Sequence, residues 1–599
     1  MNAKQIPERK DVSSNDKWDL TTLYKTNDDW EKDLKKLPTY AEKILKYKDV
    51  LSENADNLLN VLKLLEESEK ISEKLGNYAF LNSATDVANA EFQDKQGRYI
   101  MIASDVEAQI SFLIPEIQSI PDEKINSWIE EKKFDDYRIF LKKLLRLKPY
   151  ILSEKEERIF ALQTEAMSTA KKTFGMLTNV DLDFGTVKTK DGEKPLSQTT
   201  FSAFLENTDR NVRKEAYTKF YNAFDAHKNT IASLYAGSVN IDVFHARARG
   251  YSSSRAMELF DDNVAESVYD NLVGTIRDNF APLHKYYNLR KKVLKLDELR
   301  HYDVYVPLVQ SVKKITPYDD AVELLRQALS PLGAEYTDIL CNGLQNGWVD
   351  KYENKGKRSG AFSSGGYTGY PYILMNYKDE VLRDVFTLAH EGGHSMHSYY
   401  SAKNNSFMQY NYTIFEAEVA STFNEELVFN FLLKHADNLD EKAYLLCNRA
   451  SDILATLYRQ TMFAEYEKRT HEMVENGTPL SADVLRNEYR KLLEDYFGPQ
   501  MIFEQTSDLE GLRIPHFYNA FYVYKYATGI SAALALAYRV LNGGESEKKD
   551  YFKFLSSGGS RFPVDSLKIA GVDMNTTAPI QAAIERFASI VNELEQILC

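Results

Sequence analysis

The chain has 599 residues, a formal charge of −14, 43% hydrophobic and 27% charged residues, so it can bury a large core as one body or as several domains. The negative charge speaks against nucleic acid or an anionic membrane surface as a partner. Its 27 glycines and 16 prolines make up about 7% of the chain where roughly 12% is usual, and so few helix breakers predict a mostly α fold.

Met1 to Asp28 is polar and charged with no signal-peptide pattern, and no apolar run reaches the roughly 18 residues of a membrane span. Cys341, Cys447 and Cys599 are odd in number and widely spaced, which suggests a reducing cytoplasm rather than a disulfide framework. From residue 28 to about 180, apolar and charged positions alternate at helical spacing, as in Leu58-Leu59-Val61-Leu62-Leu64-Leu65 and Ile139-Phe140-Leu144-Leu145. The segment Phe184 to Glu193 then alternates toward Asp191-Gly192 and reads as a β-hairpin. A boundary is placed near 200, dividing a segment 1–200 that ends in the hairpin from a body 201–599, in which helices resume to about 340.

Gly343, Gly347, Gly356, Gly360, Gly365, Gly366 and Gly369 interrupt that texture, and Tyr370 to Tyr377 follows as a strand-like run. An edge strand here would offer free backbone groups to an extended peptide, a grip indifferent to most side chains. Gly365, Gly366 and Tyr367 are its candidate substrate-binding residues.

His390-Glu391-Gly392-Gly393-His394 comes next, behind the apolar Val385-Phe386-Thr387-Leu388-Ala389 that predicts a buried helix. Two histidines four apart on a helix differ by about 40° in direction and about 6 Å in rise, so both imidazoles can meet one metal. Glu391 can reach a water at that metal and act as general base. Gly392 and Gly393 each cost about 1 kcal/mol relative to alanine inside a helix; close approach of a substrate strand or a neighbouring helix would account for them.

A water-activating zinc site needs a third protein ligand. Six residues beyond His394 stands Tyr400, not histidine, and about twenty beyond stand Thr413 and Ile414, not glutamate. The acidic run Phe415 to Glu425 reads as a second helix with Glu418 and Glu425 on one face. His397 is the alternative third ligand, since it shares a helix face with His390. It lies about 10 Å along the axis from His390, however, and helical side chains lean toward the N-terminus, which favours Glu418. Glu425 and Asp384 are candidates to hydrogen-bond the far nitrogen of a ligand histidine. Further on, Tyr518, Tyr522 and Tyr526 recur every four residues, a spacing that fits one helix face and is more often core than catalytic.

His390-Glu391-Gly392-Gly393-His394-Ser395-Met396-His397, followed by Phe415-x-x-Glu418-x-x-Ser421-x-x-x-Glu425, resembles the thimet oligopeptidase family of zinc metallopeptidases, in its oligoendopeptidase F branch. Gly360 to Gly365, Pro371 to Tyr377, Ile514 to Tyr518, Phe521 to Tyr524, Tyr526 to Gly529, Ser556 to Ser560 and Trp18-Asp19-Leu20 are similar too, so nearly the whole chain takes part. The resemblance implies a large helical zincin-type metallopeptidase with a deep substrate channel between two halves and a small β-sheet beside the active-site helix. It implies an N-terminal helical domain (1–200) before the catalytic domain (201–599), and one Zn²⁺ per chain held by His390, His394 and Glu418. A histidine and tyrosine cluster is implied as transition-state donors, with His516 and Tyr522 foremost and Tyr518, Tyr524 and Tyr526 as substrate-binding residues. The spacing here departs from the thimet branch, and Arg513 is a further candidate anchor. The expected activity is internal cleavage of short oligopeptides. A peptidyl-dipeptidase or carboxypeptidase of related fold, or a helical scaffold without activity, are the alternatives.

Overall fold

The computed structural model describes residues 6–312 and 314–599. Helices dominate. Among the described residues the strands are β1 (Thr186–Thr189), β2 (Gly192–Pro195), β3 (Leu299–Arg300), β4 (Val349–Asp350), β5 (Phe362–Gly365), β6 (Pro371–Leu374) and β7 (Met501–Ile502), in three small sheets. The hairpin read from the sequence is β1 and β2, antiparallel, with Thr189 opposite Gly192. Two compact units interleave along the chain: residues 1–149, 313–432 and 536–572 form one, and 150–312, 433–535 and 573–599 the other. These units do not follow the chain-order division at 200, which falls within the helix Gln198–Leu205 of the second unit. No helix among the described residues is long and apolar enough to cross a membrane.

In the first unit, α1 (Asn27–Ile44), α2 (Ala55–Thr85) and α3 (Ala90–Ile110) begin at Thr26, Asn54 and Asn89. Each of these side chains accepts a bond from a backbone N–H in the first turn, which satisfies donors that have no helical partner. The inward stripe of α2 feeds two apolar clusters. Leu58, Val61 and Leu62 meet Ile117, Phe134 and Leu141, while Leu75 and Leu81 meet Trp30, Leu34 and the strand residues Tyr372 and Leu374. Trp30 is fully buried, and its indole N–H donates to the Leu75 carbonyl at 3.2 Å.

The sheet that concerns function has the order β4-β6-β5, with β6 parallel to β4 and antiparallel to β5. This corrects the expectation of an edge strand over Gly365–Tyr377: β6, within that run, is the buried centre, and β5, which ends at Gly365, is an edge. Both faces of the sheet are covered, as the alternation along β5 records. Ser363 Oγ lies 2.9 Å from Ser395 Oγ, and a side chain at Gly365 would collide with Ser398, so these two positions face the helix Leu382–Asn404. Phe362 meets Trp18 and Phe80, and Ser364 donates to Asn77, so the other two face α2 and the N-terminal segment.

The second unit buries many tyrosines. Tyr217, Tyr235, Tyr269, Tyr466, Tyr489 and Tyr496 are all enclosed. Their hydroxyls find partners, as buried polar groups must: Tyr235 with Thr470 at 2.8 Å, Tyr269 with the Ala464 carbonyl at 2.6 Å, Tyr496 with Glu465 at 3.0 Å and Tyr489 with Glu510 at 2.9 Å. Glu510 also pairs with Arg459 at 2.6 Å and Arg513 at 3.4 Å. Arg513 additionally bonds the Tyr221 hydroxyl at 3.3 Å, which places it in this interior network.

Candidate metal centre

The motif lies on the helix Leu382–Asn404 and the acidic run on the helix Ile414–Lys434, and both the motif and the acidic run fall in the first unit. The two helices touch at Gly393, where a Cβ would sit 2.5 Å from the Ala420 carbonyl oxygen and 2.7 Å from the Ser421 Cα. Of the two origins considered for the glycines, the neighbouring helix explains Gly393. Gly392 faces the Leu340 side chain at 3.2 Å. Asn424 fastens the crossing: it donates to the Ala389 carbonyl at 3.2 Å and accepts from the Tyr336 hydroxyl at 3.1 Å.

This crossing brings three ligand atoms together. His390 Nε2 lies 3.2 Å from His394 Nε2 and 3.3 Å from Glu418 Oε2, and His394 Nε2 lies 3.5 Å from the same oxygen. Zinc–ligand bonds of about 2.0–2.1 Å at tetrahedral angles separate ligand atoms by about 3.4 Å, so the donor set fits a zinc ion. Among the described residues His390, His394 and Glu418 are the only such group of histidine, cysteine and carboxylate ligands.

The electrostatics agree. Burial works against charge on His390, yet its bonds to Glu418 and Glu425 outweigh that and lift its pKa to about 10. Burial pushes the Glu418 carboxyl up, but His390 and His394 hold it well below the usual carboxylate range. A field that attracts a proton this strongly attracts a divalent cation for the same reason. His390 Nδ1 sits 2.8 Å from Glu425, which fixes the tautomer and turns the Nε2 lone pair to the other ligands. Ser421 Oγ bonds Glu418 Oε2 at 3.1 Å. Glu391 is 7% exposed; burial lifts its pKa while His390 and His394 pull the other way.

Two expected residues lie elsewhere. His397 is fully buried, stacked on Tyr412 with ring centroids 3.7 Å apart, and its pKa is pushed down to about 3 by burial. Its ring nitrogens have no hydrogen-bond partner among the described residues, and it does not enter the cluster. Asp384 accepts the Lys378 backbone N–H at 2.8 Å, at the start of the motif helix, in place of the expected contact with a ligand histidine.

Beside β5, the Gly365–Tyr367 segment is held by Glu73 of α2, which accepts the Tyr367 backbone N–H at 2.7 Å and the Tyr410 hydroxyl. Sequence reasoning missed Glu73, because nothing in a polar helix face announces a partner nearly three hundred residues away.

In the second unit the tyrosine stripe divides. Pro515–Tyr518 is a short 3₁₀ turn and the next helix starts at Tyr524, so Tyr518, Tyr522 and Tyr526 do not share one helix face as expected. Tyr518 is buried against Phe174 at 4.5 Å and Tyr524 against Tyr269 at 5.2 Å, which makes both core residues. His516 is exposed and gathers with half-buried Tyr522 and Tyr526, at ring separations of 6.5 and 6.2 Å, and the two tyrosines are 5.4 Å apart.

A model of Peptidase family M3 matches residues 203–586, and one described as Oligopeptidase F matches residues 116–184. The chain is 42% identical over 590 residues to an oligoendopeptidase F homolog of Borreliella burgdorferi, covering 98% of this chain and 99% of the relative. It is 41% identical over 604 residues to oligopeptidase PepF of Bacillus subtilis, covering 100% and 89%. Among solved structures, a peptidase from Chlamydophila abortus matches with a TM-score of 0.94 at 36% identity, over 99% of this chain and 100% of that one. Oligoendopeptidase-F from Enterococcus faecium matches with a TM-score of 0.72 at 31% identity, over 95% and 99%.

Proposed function

The chain belongs to peptidase family M3, and on that premise we propose that His390, His394 and Glu418 hold one zinc ion per chain. Family and full-length relatives make the protein a metallopeptidase that cuts oligopeptides at internal bonds. The observation that carries the zinc reading is the convergence of three ligand atoms at 3.2, 3.3 and 3.5 Å.

A zinc ion bound there supplies a Lewis acid that polarises a carbonyl and lowers the pKa of water. Glu391 takes the proton of the attacking water and hands it to the leaving amine nitrogen. Its buried setting raises its proton affinity, which suits a group that must carry a proton between two steps. Glu425 keeps His390 oriented. His516, Tyr522 and Tyr526 donate hydrogen bonds to the oxygen that becomes negative as the carbonyl is attacked. The edge strand β5, with Gly365, Gly366 and Tyr367, pairs with the backbone of an extended peptide, so side-chain preference is broad. Three cysteines without a disulfide support a cytoplasmic setting.

The test is a peptide mixture digested with and without chelator and read by mass spectrometry. Internal cuts that vanish with the metal and persist when peptide C-termini are amidated support the reading. Turnover that survives complete metal removal overturns it.

A further inference from the structure

We propose that Glu467 is a positioning residue for the donor tyrosine Tyr522, acting through the backbone of Phe521. The inference rests on the reading of Tyr522 as a donor and adds the part of the fold that aims it.

Phe521 has φ of 52°, as one of four non-glycine residues among those described with positive φ, and the others are Asp49, Asn263 and Lys295. For a bulky side chain this left-handed conformation costs about 1–2 kcal/mol and persists only where surroundings impose it. The helix Arg459–Glu475 imposes it. Glu467, fully buried, accepts the Phe521 backbone N–H at 3.2 Å. The Phe521 ring is held between His471 at 4.6 Å and Tyr269 at 5.8 Å. His471 is itself fixed by the Glu467 carbonyl at 2.8 Å and Asp242 at 3.1 Å, and Tyr269 donates to the Ala464 carbonyl.

The consequence falls on the next residue. Phe521 lies in the break between the turn ending at Tyr518 and the helix starting at Tyr524. Tyr522 thereby joins His516 and Tyr526 instead of the core that takes its neighbours. Nothing else described uses this carboxyl: its Oε2 accepts no hydrogen bond, and no cation pairs with it among the ion pairs of the described residues. Burying a carboxyl without a counter-charge is costly, and here burial, with Asp242 and Glu258 adding to it, raises the proton affinity of the acid well above that of a free carboxyl. A neutral acid still offers a carbonyl oxygen to Phe521, and a glutamine offers the same.

The experiment compares kcat, KM and bound zinc for Glu467→Gln, Glu467→Met, Tyr522→Phe and the double variant Glu467→Met/Tyr522→Phe. We expect Glu467→Gln within about threefold of wild type, and Glu467→Met slower in kcat by about 10²-fold with KM and zinc kept. The double variant should be no slower than Tyr522→Phe alone, because both changes remove one donor. A kcat for Glu467→Met within about threefold of wild type, or a double variant slowed by the product of the two single effects, overturns the proposal. If Tyr522→Phe alone keeps full turnover, the donor assignment falls, a result read without any change at Glu467, and the proposal falls with it. Should Glu467→Met fail to fold by circular dichroism, Glu467→Asp replaces it. That variant keeps the acid but is one methylene too short for the bond, and the same loss is expected.

Discussion

In the first unit, the three candidate ligands come from two helices whose registers already point them one way, and a single close crossing at Gly393 completes the cluster. In the second unit, His516, Tyr522 and Tyr526 gather across a break between a 3₁₀ turn and a helix, through a left-handed Phe521 and a buried bond to Glu467. The ligand cluster is thus a product of helical periodicity plus one contact. The aromatic cluster is a product of a strained backbone held from a distant helix. The first should break through loss of individual ligands or of the crossing, and the second through loss of whatever aims it.

The largest loss of turnover with the metal retained is expected at Glu391. Glu391→Gln should retain zinc and peptide affinity while kcat falls by at least about 10³-fold, since the amide cannot take a proton. Zinc content and steady-state kinetics check this, and turnover within about tenfold of wild type would remove the base from Glu391.

The choice between third ligands sharpens the periodicity argument. Glu418→Ala should lose zinc and all activity, while His397→Ala should keep the metal and lose only stability, by about 2–4 kcal/mol for the stacked ring it deletes. Metal analysis with denaturant melts separates the two, and the reverse pattern would put His397 in the cluster.

In the aromatic cluster, Tyr522→Phe and His516→Ala should each lower kcat by about 10²-fold with little change in KM. Tyr518→Phe, a core substitution, should stay within about twofold. Equal effects at Tyr518 and Tyr522 would erase the division of the stripe that the fold creates.

The smallest effect tests the crossing itself. Gly393→Ala pushes a methyl against the Ala420 carbonyl and should cost about 1–3 kcal/mol of stability with weaker zinc retention. An unchanged melting temperature and metal affinity would show that the helices can part at no cost.

Much of this was legible in the residues alone. The helical class, the hairpin at 186–195, the His390 and His394 pair and the shared face of Glu418 and Glu425 all follow from local spacing. The edge strand was expected over Gly365–Tyr377 and so ran on into a buried strand, because an apolar run such as Pro371–Leu374 reads alike whether one face or both are covered. Asp384 read as a helper of the ligands because helical spacing gives no sign that a side chain turns back to the loop before its own helix.

What the sequence determined by itself is whatever a few residues decide among themselves: helix, hairpin turn and the direction of side chains four or seven apart, set by backbone geometry. What only the tertiary structure decided is which of those side chains meet. β5 rather than β6 at the edge, Glu73 beneath Tyr367 and Glu467 beneath Phe521 each depend on a partner distant in the chain. Burial and hydrogen bonding select such partners in space, and helical or strand periodicity carries no information about segments so far apart.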